Sequence, residues 1–141
     1  MARTTPVSDQ RIEKMIRDAR TYGAVLDYSP ESAAHIDSYI ESVEHMARVA
    51  LDLDDGAYVG DSAPAMIDLE ALGTYYGELF IRHVGAVWGT REGEDGPELA
   101  VIRGAVSELP LTRVRIRATD GPPPVFRTLF PELAAEMRAE G

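Results

Sequence analysis

SAPAMIDLEALGTYYGELFIRHVGAVW, residues 62–88, holds a helix start, a long helical period, a stop and a short apolar exit. Ser62 stands where an N-cap belongs and Pro64 falls in the first turn, where its missing N–H costs nothing. Met66, Leu69, Gly73, Tyr76, Phe80 and His83 then recur at gaps of three and four, flanked by Leu72, Leu79 and Val84. Gly85 supplies the stop. The spacing predicts about 22 helical residues, a rod of about 33 Å that serves as the central element. Gly73 and Gly77 each cost about 1 kcal/mol against alanine inside a helix. Either a neighbouring element crosses closely there or bare backbone lines a pocket, and the crossing is the commoner arrangement. Glu78 and Arg82 have the order that favours an ion pair.

Outward from this rod, the preceding chain reads as two helices. Residues 1–7 form a loose leader. Ser8 or Asp9 caps a first helix with Ile12, Met15, Ile16, Ala19 and Tyr22 on its apolar face and Gly23 as its stop. Ser29, Pro30 and Glu31 open a second, whose buried face is Ala33, Ile36, Ile40, Val43, Ala47 and Ala50, with Met46 beside it. Its outer face carries Asp37, Glu41, Glu44 and His45.

After Gly85 the period shortens. Ala86–Trp88 and Glu98–Arg103 read as a hairpin around a turn at 90–97, with Trp88 plugging the junction to the rod. Thr112–Ala118 alternates, Val114, Ile116 and Ala118 against Arg113, Arg115 and Arg117, and predicts a third antiparallel strand; a short amphipathic helix is the competing reading. Pro110 is taken as a break, and a short helix from about Pro131 lies across the sheet. The expected fold is a single α+β domain over 1–141. It has three main helices, the third long and central, then a small antiparallel sheet of about three strands and a short C-terminal helix.

The block LGTYYGELFIRHVGAVW resembles a pattern in small bacterial domains of unknown function, LGxYxGE, then an arginine, then GxxW. The resemblance implies that a long helix runs into a small sheet, and that Gly73, Tyr76, Gly77, Glu78, Arg82 and Trp88 are architectural. It carries no activity. Some domains of that kind act as accessory or immunity-type proteins.

The 141 residues carry a formal net charge of -10 and no cysteine. The charge argues against nucleic acid or an anionic membrane as partner. The missing cysteine removes disulfides, thiolate metal sites and thiol nucleophiles. With no long apolar run and no basic leader, the expected location is cytoplasmic. Between Glu31 and Glu70 the only basic residue is Arg48. The loop LDLDDGAYVGDSAP fails an EF-hand count, because starting at Asp52 places Gly56 fifth and Ala63 twelfth. Glu41 and His45 are four apart, where a di-metal bundle wants three, twice. No catalytic residue, metal or cofactor is assigned.

The resulting expectation is a non-enzymatic interaction module. It would bind a basic protein surface through Asp37, Glu41, Glu44, Asp52, Asp54, Asp55 and Asp61, or pair them with Arg113, Arg115 and Arg117 of its own copy. The alternative is a small metal-dependent or small-molecule enzyme built on Asp52, Asp54, Asp55, Asp61 and His45.

Overall fold

A computed structural model of the chain describes residues 6–54, 65–94 and 96–140. Their elements are α1 (Asp9–Thr21), α2 (Ser32–Ala50), α3 (Leu69–Val84), β1 (Val87–Gly93), β2 (Gly96–Arg103), β3 (Val106–Glu108), α4 (Pro110–Asp120) and α5 (Phe126–Ala139). The fold is α+β, with a three-stranded antiparallel sheet in the order β1-β2-β3. Among the described residues no helix is long and apolar enough to cross a membrane.

Local signals place the first two helices. Ser8 caps α1 by accepting the Arg11 N–H, and Ile12, Met15 and Ala19 are buried. Ser29 Oγ accepts the Ser32 N–H at 3.2 Å, so the expected opening holds, although the turn through Pro30 and Glu31 is the tighter i→i+3 kind. Buried Ala33, Ile36, Ile40, Val43 and Ala47 form the anticipated face of α2, whereas Ala50 and Met46 are exposed.

The central helix is shorter than its period suggests. Ser62 and Pro64 lie outside the described residues, and Asp68 caps α3 by accepting the Ala71 N–H at 3.2 Å. The 16 residues of α3 span about 24 Å. At the other end Gly85 adopts the left-handed φ of 70°, which stops the helix without a Cβ penalty. Every residue from Ala71 to Gly77 is buried, so this half of α3 is enclosed on all sides instead of carrying one stripe. Tyr76, Phe80, Phe126 and Phe130 meet edge to face, with centroids 4.8 to 5.1 Å apart, and lock α3 to α5.

The hairpin forms as expected but runs further into its turn, pairing Val87 with Ile102 and Gly93 with Gly96. The third strand is β3, joined to β2 from Val101↔Glu108 to Arg103↔Val106. Thr112–Ala118 is not that strand. It lies within α4, where Pro110, Val114, Arg117 and Ala118 make the buried side at helical spacing. The same letters satisfy both periods. Pro110 decides between them, since at the first helical position proline opens a helix as readily as it breaks a strand.

α4 crosses α3 at the two glycines. A Cβ built on Gly73 would stand 2.7 Å from Leu111 Cα, and one on Gly77 would overlap the Trp88 ring and approach Pro110 Cγ to 3.0 Å.

α5 also departs from expectation, starting at Phe126 instead of near Pro131 and packing chiefly on α2, with further contacts to α3 and β3. Its missing cap is supplied by a distant residue. Buried Asp37 accepts the Phe126 and Arg127 N–H groups, each at 2.8 Å. Asp37→Ala therefore leaves two helix-end donors unmet, the one at Phe126 buried, and costs about 1 to 3 kcal/mol. Urea denaturation reads the loss, and amide exchange should place the new fraying at Phe126 and Arg127; unchanged stability would mean the cap is idle.

Candidate functional site

Half of the described residues marked for recognition, Asp37, Glu44, Arg113 and Arg117, are engaged within the chain. Asp37, read as part of the outer face of α2, is buried because the N-terminus of α5 closes over it. Glu44 forms a two-pronged pair with Arg117 at 2.9 and 3.0 Å, and the side chains are only 16% and 4% exposed. Arg113 donates from Nε and Nη2 to Glu108 at 3.1 and 2.9 Å. Of the three arginines expected to share a strand face, only Arg115 is exposed, since the face itself does not exist in a helix.

Glu108 is the group that the sequence reading missed. It is 1% exposed and also accepts the Tyr76 hydroxyl at 3.2 Å and the Leu109 N–H at 2.9 Å. Burial first, then the charge of Glu108 and the hydrogen bond to it, hold the Tyr76 phenol well above its usual range. The Glu108 hydrogen bond raises Arg113 in turn. With both oxygens taken, this buried carboxylate ties α3, β3 and α4 together. No local pattern marks it, because its partner Tyr76 lies 32 residues away.

The other motif residues find partners within the chain. Glu78 accepts the Trp88 indole N–H at 3.3 Å, while the Arg82 guanidinium lies 3.5 Å from the centroid of the Tyr28 ring, so the two take different partners. His83 Nε2 meets the Tyr28 carbonyl at 2.6 Å, and His35 Nδ1 accepts the Val25 N–H. Among the described residues no group of three or more His, Asp and Glu side chains is arranged to hold a metal ion.

What stays at the surface is the C-terminal end of α2. Glu41, His45 and Val49 are exposed at four-residue spacing, and Asp52 and Asp54 are exposed beyond the helix. Asp55 and Asp61 lie outside the described residues. Among these acids stand large apolar side chains: Met46 is 47% exposed, Val49 59%, Leu51 51% and Leu53 41%. Backbone bonds from Leu51 N to Ala47 O and from Leu53 N to Arg48 O keep the segment wound against the helix end. The sequence did show these residues, but Met46 was assigned beside the buried face.

Buried tyrosines give the fold an alkaline limit. Burial pushes Tyr39 up to about 12 and also raises Tyr28, Tyr75 and Tyr76. Folded values above the ordinary value near 10 mean stability that is complete below that pH and lost as pH rises through the folded values. Phenolate absorbance and circular dichroism should therefore show the buried Tyr39, Tyr75 and Tyr76 ionising together with unfolding above pH 10; ionisation at the ordinary pH with the fold intact would contradict their burial.

Compared with known proteins, the chain matches no family model, no curated protein and no solved structure.

Proposed function

We propose that the protein is a non-enzymatic interaction module, of accessory or immunity type, that docks a basic protein surface on the acidic, apolar end of α2. The observation carrying this reading is the exposure of Met46, Val49, Leu51 and Leu53 among Glu41, Asp52 and Asp54. Apolar side chains ringed by charge resemble the centre and rim of a protein contact. The chain's net charge of -10 adds long-range attraction toward a cationic partner. Asp37 and Glu44 drop out of the contact because their carboxylates are engaged within the chain. With Arg113 and Arg117 likewise engaged, a foreign basic surface fits better than a second copy.

Affinity purification from the source cells at low and high salt tests this. A basic protein should be recovered at low salt, lost at high salt, and lost with Glu41→Lys/Asp54→Lys or Val49→Asp, while Glu136→Lys on α5 leaves recovery unchanged. Asp52 is kept because its backbone φ of 55° suits few other residues. Recovery that ignores both salt and the α2 variants would rule the reading out.

A further inference from the structure

The opposite end of α2 carries a second feature, about 22 Å from the acidic end along the helix axis. A cleft of about 320 Å³ opens between the first turn of α2 and one side of α5. That volume lies at the lower end of the range of small-molecule sites. Its floor is apolar, made by Ala33 and Ala34 from α2 and Phe130 and Ala134 from α5. Arg127 and Arg138 line it as well. On α5 the residues Arg127, Pro131, Ala134 and Arg138 follow at gaps of four, three and four, which puts the arginines on one helix side about 16 Å apart along the axis.

These two cations differ from most others in the chain. Arg11 is held by Asp68, Lys14 by Asp18, Arg113 by Glu108 and Arg117 by Glu44. Arg91 bonds Ser107, Arg103 bonds the Val84 carbonyl and Arg82 covers the Tyr28 ring. The side chains of Arg127 and Arg138 have no hydrogen bond or ion pair to any described residue, although the chain has 24 carboxylate side chains for 14 lysines and arginines. Arg17, Arg20 and Arg115 are exposed as well; Arg127 and Arg138 are the two that line this apolar cleft.

We infer that this cleft binds a small amphiphilic monocarboxylate, its anionic head on an arginine and its apolar body over Phe130 and the alanines. Charge selects the class. Glu31 also lines the cleft, so two arginines less one carboxylate leave a single net positive charge, enough for one anionic group. A polyanion would meet Glu31 and the negative field of the whole chain. The apolar floor discriminates in turn against small hydrated anions, which gain nothing from covering it.

The test uses the full chain and octanoate as probe, with acetate and 1-octanol as controls at constant ionic strength, followed by amide NMR shifts. Octanoate should bind saturably, with shifts centred on residues 30–34 and 127–138, and about ten-fold or more tighter than either control. Arg127→Gln/Arg138→Gln should weaken it by a similar factor; Ala34→Trp, which fills the cleft without touching the charges, should abolish it. Non-saturable shifts, equal binding of 1-octanol, binding indifferent to both variants, or a site that takes acidic peptides but not octanoate would each overturn the inference.

Discussion

Gly73→Ala should lower the stability of the fold by about 1 to 2 kcal/mol, an overpacking cost of about 2 to 3 kcal/mol less the roughly 1 kcal/mol by which alanine is the better helix former. The new methyl would lie 2.7 Å from Leu111 Cα and 3.2 Å from Leu111 N, so the obstacle is the backbone of α4 and cannot rotate away. Moving α4 disturbs the Arg113–Glu108 and Arg117–Glu44 pairs together. At Gly77 the obstacle is different. There a Cβ meets the Trp88 ring, which is a side chain, so Gly77→Ala should be partly rescued by Trp88→Leu, a coupling of about 1 kcal/mol in a double-mutant cycle. Urea denaturation of the single and double variants measures both. A stabilising Gly73→Ala would mean that helix propensity is the only factor there and that α4 does not press on the glycine.

Glu108→Ala should cost about 2 to 4 kcal/mol, because the buried Tyr76 hydroxyl loses its acceptor while the half-exposed Arg113 can turn to water. The loss exceeds that of one contact because the carboxylate serves Arg113, the Tyr76 hydroxyl and the Leu109 N–H together. Glu108→Gln keeps the shape but offers an amide N–H₂ where Arg113 needs an acceptor, and should cost about 1 to 3 kcal/mol. Replacing the network as a whole, Tyr76→Phe with Glu108→Met and Arg113→Leu, should cost less than Glu108→Ala alone, since no buried polar side chain is then abandoned. If the triple variant is instead the least stable, the network contributes more than the charge satisfaction argued for it.

Local chemistry was legible wherever the controlling residues are neighbours in sequence. Ser8, Ser29 and Gly85 mark helix ends within a few residues of the groups they satisfy, and the hairpin followed from two apolar runs around a charged turn. Reading failed where the controlling partner is remote. Asp37 looked like one more solvent-facing acid because the N–H groups it accepts lie 89 and 90 residues away. Glu44 and Arg117, 73 residues apart, were assigned to complementary outer surfaces, yet they satisfy each other inside the fold. Thr112–Ala118 alternates as a strand would, and nothing within those seven letters reveals that β3 already occupies the third position of the sheet. The acids that stay exposed, Glu41, Asp52 and Asp54, are among those named from sequence, but the apolar residues between them stand out only once the core is filled without them.

Native-state amide exchange of α3 tests most directly whether this helix is the frame on which the other elements are assembled. Amides from Leu72 to Phe80 should exchange only through global unfolding, with a protection free energy equal to the denaturant value and above that of α1 and α5. Exchange of these amides through smaller local openings, while α1 or α5 remains protected, would show that the frame lies elsewhere.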